Sequence, residues 1–142
     1  MTEEYGFVAP ATVHFDDLDA LGVLHNARYA VLVERAILEW WDARGWAFAG
    51  SGPTKPDVFN VIREYSVTFH VPIAGTGRIG VHFWLEKLGT TSAEYRFRFL
   101  SEDGSVVHAE GRRVNVCLDP ATMRPTPWSD EARVAGKEIT KA

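Results

Sequence analysis

Asp17-Leu18-Asp19-Ala20-Leu21-Gly22-Val23-Leu24-His25-Asn26-Ala27-Arg28, followed by Tyr29, is the stretch on which the reading of this chain turns. It closes a β-like run (Ala11 to Phe15), sets two carboxylates in a short polar loop, and passes through Gly22 into the first turn of a helix. Glycine at position 22 permits a tight reversal. Acidic residues ahead of a helix commonly serve as caps or turn formers. Asp19, however, lies seven residues before Asn26, too far to be a simple cap for a helix starting there. A reversal at Gly22 could return its carboxylate to the helix start. There the unsatisfied backbone N–H groups carry partial positive charge. A carboxylate can activate water or attack a carbonyl, while helix N–H groups can hold the resulting oxyanion.

The helix predicted over 26–44 follows from Tyr29, Leu32, Val33, Ala36, Ile37, Trp40 and Ala43, which share one wide apolar stripe. Arg28, Arg35, Glu39 and Asp42 take the other side, and Gly45 is a natural stop. Val31 and Leu38 interrupt that polar side seven residues apart, an alignment that points to contact with another surface.

Upstream, residues 7–15 read as a strand that Pro10 restricts to an edge. Downstream, 46–56 reads as a connection around Gly50-Ser51-Gly52-Pro53. The period then changes to two: runs at 61–70, 78–86, 93–99 and 106–118 alternate as strands, with turns at 72–77, at Gly89-Thr90 and at Glu102-Asp103-Gly104. A short helix is expected at 129–135. One long helix with a broad apolar stripe must bury it against the only sheet available, an α+β arrangement in a single domain over 1–142.

The chain's 142 residues suffice for a real core. Net charge of −4 and the lack of a basic run argue against nucleic acid. No apolar run reaches the roughly 18 residues of a membrane span, and the start Thr2-Glu3-Glu4 is unlike a signal peptide. With lone Cys117, a cytoplasmic location is expected. Gly75-Thr76-Gly77-Arg78-Ile79-Gly80 has dinucleotide-fingerprint spacing but leads into a strand, not a helix, so it reads as a turn. His14, His25, His70, His82 and His108 are scattered without metal-ligand spacing, and neither metal nor cofactor is expected. His82 and His108 read as partly exposed strand residues. Arg63, Arg78, Arg96, Arg98, Arg112 and Arg113 read as an outward face paired with Glu64, Glu86 and Glu94 rather than as phosphate ligands.

Asp17, Asp19, Gly22 and Tyr29 also resemble, in register, the motif of the 4-hydroxybenzoyl-CoA thioesterase-like branch of the hotdog-fold acyl-CoA thioesterases. The stretch Arg113 to Pro120, with Arg124-Pro125 and Pro127, is similar to that family's last strand and proline-bearing exit. The resemblance implies a hotdog fold, an antiparallel sheet wrapped around one long central helix. It implies hydrolysis of an acyl-CoA or other acyl thioester, with Asp19 as general base or nucleophile and the backbone N–H of Asn26 polarising the carbonyl. Asp17 is then structural, and Gly22, His25, Tyr29, Val33 and Trp40 are substrate-binding residues, with Ile37, Trp41 and Phe69 as further pocket candidates. Protomers of the family join edge to edge, so a homodimer or homotetramer is expected. Two alternatives remain open: a hydroxyacyl-thioester dehydratase using His25, and a non-catalytic small-ligand binder.

Overall fold

Alternation with period two along the second half of the chain becomes long antiparallel strands. The computed structural model describes residues 3–141; Met1, Thr2 and Ala142, part of the expected 1–142 domain and of its acidic start, lie outside the described residues. In chain order come β1 (Phe7–Val13), a 3-10 turn (Phe15–Asp17), α1 (Arg28–Asp42), a small hairpin of β2 (Phe48–Ala49) and β3 (Gly52–Pro53), and a second 3-10 turn (Pro56–Val58). Then follow β4 (Asn60–Phe69), β5 (Gly77–Leu88), β6 (Ser92–Ser101), β7 (Val107–Cys117), α2 (Asp130–Gly136) and a last 3-10 turn (Lys137–Ile139).

The five long strands form one antiparallel sheet in the order β1-β5-β6-β7-β4. Its edges differ. β1 is short and carries Pro10, which lacks an N–H, opposite Gly80. β4 is ten residues long and leaves Val61, Ile62, Tyr65 and Phe69 each more than a third exposed. Such an open, apolar edge is a template for pairing with another chain. Inside the sheet, Gly111 of β7 is tied to its place by crowding: a Cβ there would run into the Ser66 carbonyl and the Phe97 ring.

α1 buries Tyr29, Leu32, Val33, Ala36, Ile37 and Trp40, and these join Val81, Phe83, Leu85, Phe97 and Phe99 of the sheet in one core. Each such side chain contributes roughly 1.5–3 kcal/mol by leaving water. Ala43, the last residue of the expected stripe, is exposed because the helix has ended. α2 is the short C-terminal helix expected at 129–135, and with α1 it makes two α-helices among the described residues.

Three expectations change. The 46–56 connection contains the hairpin of β2 and β3, pairing Phe48 with Pro53 and Ala49 with Gly52. His82, expected to be partly exposed, is fully buried: Nε2 lies 2.9 Å from the Tyr5 carbonyl and Nδ1 lies 2.9 Å from an Arg98 nitrogen. The segment before β1 covers the ring, so strand alternation alone gave the wrong exposure. Arg113, expected on the outward face, is buried and turned towards α1, where it pairs with Glu34 at 3.1 Å. Of the other arginines, Arg96 and Arg112 pair with Glu94 at 2.7 and 3.1 Å and Arg63 with Glu64 at 3.9 Å, as expected, whereas Arg98 pairs with Glu3, Arg78 with Glu102, and Glu86 accepts from Trp84 Nε1 instead.

Candidate functional site

The loop between β1 and α1 is organised by its two aspartates in different ways. Asp17 is buried, accepting from the His14 N–H at 2.8 Å and from Arg28 Nε at 2.8 Å. The His14 N–H, aided by the Arg28 guanidinium and opposed by burial, holds its carboxyl below the usual range. Because Arg28 is the first residue of α1, this pair ties the loop to the helix start.

Asp19 is only half-buried, and its Oδ1 accepts from the N–H groups of Leu21 (2.8 Å) and Val23 (3.3 Å). The backbone closes the same turn, with Gly22 N–H donating to the Asp19 carbonyl and Asp19 N–H to that of Val23. Gly22 has φ +76°, the left-handed conformation that the reversal needs. Asp19 is therefore a turn-former through one oxygen. Its Oδ2 makes no hydrogen bond within the described residues.

The helix begins two residues later than the sequence pattern predicts, at Arg28, with Ala27 as N-cap, no side-chain cap and no acidic residue in its first turn. Asn26 sits just ahead of that end, exposed, and its backbone N–H has no partner among the described residues. Its neighbours are occupied: Arg28 N–H donates to the His25 carbonyl and Ala27 N–H to His25 Nδ1 at 3.0 Å. Accepting at Nδ1 places the proton of neutral His25 on Nε2, so the imidazole offers a ligand a donor, not a base. That disfavours the dehydratase alternative.

Asp19, His25, Asn26 and Tyr29 line one cleft of about 350 Å3. Its other wall is Phe69 to Pro72, of which only Phe69 was an expected pocket residue. Backbone contacts bring this wall across: Leu24 N–H donates to the Ile73 carbonyl, and Val23 bridges to Ala74. Nothing periodic in 70–74 signals that contact. Tyr29 closes the floor, packed edge-on against Phe69 and Phe99 at 4.9 Å each, and burial raises the pKa of its hydroxyl, partly offset by the Ile73 backbone. Gly22 shapes the loop without lining the cleft. Val33 and Trp40 are buried in the core further along α1 and do not line it either.

A second, narrower cavity of about 70 Å3 lies under the C-terminal half of α1, where Ile37 and Trp41 face Tyr95 and Trp128. Asp57 helps to close it, accepting from Trp46 Nε1 (2.8 Å), the Ser129 hydroxyl (2.7 Å) and the Ser129 N–H (3.0 Å). Burial opposes ionisation of Asp57, but these three donors outweigh it and hold the carboxyl below its usual range. Among the described residues no group of three or more His, Cys, Asp or Glu side chains is placed to hold a metal ion. No helix among them is long and apolar enough to cross a membrane.

A sequence profile described as the thioesterase-like superfamily matches residues 13–136. An Escherichia coli protein named acyl-CoA thioester hydrolase YbgC is 26% identical over 116 residues, covering 82% of this chain and 84% of its own. Among solved structures, the PA5185 protein from Pseudomonas aeruginosa superposes with TM-score 0.85 at 23% identity, over 96% of this chain and 93% of its own. A 1,4-dihydroxy-2-naphthoyl-CoA thioesterase from Synechocystis superposes with TM-score 0.81 at 13% identity, over 94% and 96%. These two likenesses concern the fold.

Proposed function

This chain belongs to the thioesterase-like superfamily and is a thioesterase on that ground; from that premise we propose that it hydrolyses acyl-CoA to a free carboxylic acid and CoA. We assign it to the 4-hydroxybenzoyl-CoA thioesterase-like branch, as one cytoplasmic hotdog domain over 1–142 with α1 as its central helix. What supports the activity is the Escherichia coli relative. What supports the site is one observation: Asp19 and Asn26 line the same cleft, where the Asn26 amide has no partner among the described residues.

In this reading the thioester carbonyl oxygen accepts from the Asn26 N–H at the uncapped start of α1. Asp19 keeps Oδ1 on the turn and uses Oδ2, either to take a proton from water or to attack the carbonyl. As the tetrahedral species forms, negative charge moves onto the oxygen, where a fixed donor is typically worth on the order of 10²–10³ in rate. The departing thiolate is a good leaving group, since a cysteine-like thiol has a pKa of only about 8.5. His25 Nε2–H and Tyr29 contribute binding at the cleft, Gly22 sets the turn, and Val33 and Trp40 act from behind by fixing α1.

Two copies would join through β4. The exposed apolar side chains of that edge, Val61, Ile62, Tyr65 and Phe69, support this pairing. Thiol release from a panel of short, long and aromatic acyl-CoAs tests the activity. Asp19→Asn retains the turn-forming oxygen and should lower kcat by roughly 10²–10⁴, the usual worth of a general base. Wild-type turnover by that variant would remove Asp19 from the mechanism. Sedimentation as a monomer at micromolar concentration would remove the pairing.

A further inference from the structure

Val81, Phe83 and Leu85 of β5 join α1 in the core, so His82 and Trp84, which alternate with them, stand on the opposite face of the sheet. Both are nevertheless buried, because residues 3–6 lie across them. Gly6, with φ +71°, turns the chain out of line with β1 and over β5. It sits so close that a Cβ there would run into the Phe83 carbonyl and the Trp84 side chain. The Tyr5 ring packs edge-on to Trp84 at 5.1 Å and tilted to His82 at 5.3 Å. The C-terminal segment closes over the same place. Lys141 N–H donates to the Leu85 carbonyl, and Lys141 Nζ lies 5.1 Å from the Tyr5 ring and 5.8 Å from that of Trp84.

The partners of His82 fix its charge. Nδ1 faces the Arg98 guanidinium, with Nη2 at 2.9 Å and Nε at 3.3 Å. A guanidinium only donates, so Nδ1 is the bare nitrogen and the single ring proton sits on Nε2, which donates to the Tyr5 carbonyl at 2.9 Å. The segment is thus held by a neutral imidazole. A second proton would have to occupy Nδ1, setting N–H against N–H and cation against cation. Glu3 favours the charged ring, but it is already engaged by Arg98 at 3.4 Å. Around this centre Glu110 of β7 stands opposite Arg98, Arg96 of β6 opposite Trp84, and Glu86 accepts from Trp84 Nε1 at 2.8 Å. Val8 of β1, opposite His82, brings no charge, and Lys141 adds a further cation. Burial and Arg98 outweigh the Tyr5 carbonyl and Glu3, and the imidazole is held below its usual pKa.

We propose that residues 3–6 form an acid-released strap: a second proton on His82 expels Arg98 from Nδ1, frees Tyr5 and Gly6 from the sheet, bares Trp84 and loosens the adjoining end of β1. The strapped form binds one proton fewer than the released form, whose solvated imidazole titrates near 6.5. The strap is therefore fully held above about 6.5. Below it, release grows about tenfold per pH unit until the strapped form takes up the proton as well. None of these residues lines the cleft, so the inference stands apart from the thioesterase reading.

Hydrogen exchange read by mass spectrometry on the full chain, corrected for the intrinsic pH dependence of exchange, tests it. The peptide carrying the strap and the start of β1 should exchange roughly tenfold or more faster at pH 5 than at pH 7.5, while peptides from β6 and β7 keep their protection. His82→Gln retains a donor for the Tyr5 carbonyl and has no proton to gain, so its strap peptide should exchange at one rate at both pH values. Gly6→Ala should release the strap at both, with β6 and β7 still protected. Arg98→Met removes the donors that a second proton would meet, and the ratio of acid to neutral rates should fall. Wild-type exchange that is equal at the two pH values overturns the strap's release. An acid response of full size in His82→Gln overturns His82 as its trigger, and an undiminished ratio in Arg98→Met overturns the encounter with Arg98 as the cause. Equal loss of protection in β6 and β7 overturns the proposal as well, because the acid effect would then be unfolding of the whole sheet.

Discussion

The two ends of α1 are built on opposite plans. At the N-terminal end, residues 14–29 make most of their polar contacts with each other: Asp17 with His14 and Arg28, Asp19 with Leu21 and Val23, Ala27 with His25. The result is open and polar. At the C-terminal end the partners are remote, with Trp41 meeting Tyr95 and Asp57 meeting Ser129. The result is closed and aromatic. A local turn can hold a reactive carboxylate exposed without a large core behind it, whereas an apolar pocket needs walls from several elements.

The comparison is most sharply broken by exchanging the roles of residues. Trp40→Ala should cost about 3–5 kcal/mol of stability by opening a core cavity, read as a lower denaturant midpoint, with KM for acyl-CoA little changed in the protein that remains folded. A raised KM at unchanged stability would make Trp40 a substrate contact rather than a support. Asp17→Ala strands Arg28, which is still partly solvated, and should cost about 2–3 kcal/mol, while Asp19→Asn should leave the melting temperature near that of wild type. Equal melting losses from both would erase the distinction between the buried and the half-buried aspartate.

Gly22→Ala is a smaller probe. A Cβ there meets nothing within 4 Å, so the whole cost is the positive φ, about 1–2 kcal/mol. Turnover should drop with stability because Asp19 is seated on that turn; unaltered kinetics would mean that the turn does not position the carboxylate.

The pH dependence of stability should show the smallest effects, in two windows. Burial, joined by the Arg98 charge and opposed by the Tyr5 carbonyl, leaves the folded-state pKa of His82 lowered. Its contribution is therefore complete above the unfolded value of about 6.5 and is lost as pH falls through the lower folded value. Asp17 and Asp57 are also lowered, so theirs is complete above about 3.9 and is lost below it. Thermal melts from pH 8 to 3 should show a shallow decline beginning near 6.5, absent in His82→Phe, before the acid transition. Persistence of the upper step in that variant would assign it to another group.

What could be read from residues alone was what depends on near neighbours. The stripe from Tyr29 to Trp40, the alternation of the four long strands, Pro10 on an edge and the Asp19–Gly22 turn all express spacings of two to four residues, and all recur in the fold. His82 and Arg113 were misplaced because what buries them comes from elsewhere: the segment at Tyr5 for one, Glu34 on α1 for the other. Val33 and Trp40 lie on the correct face of the helix, yet a periodic stripe cannot distinguish lining a core from lining a cleft.

The sequence by itself determined an amphipathic helix preceded by a carboxylate-bearing turn and followed by an antiparallel sheet, because periodicity and turn chemistry are properties of adjacent residues. Only the tertiary structure decided that 69–72 forms the far wall of the cleft, that the Asn26 amide has no partner among the described residues, and that an aromatic cavity opens beneath the other end of α1. Those features arise where chain segments tens of residues apart come together, and which segments meet is settled by packing of the whole core rather than by any window of sequence.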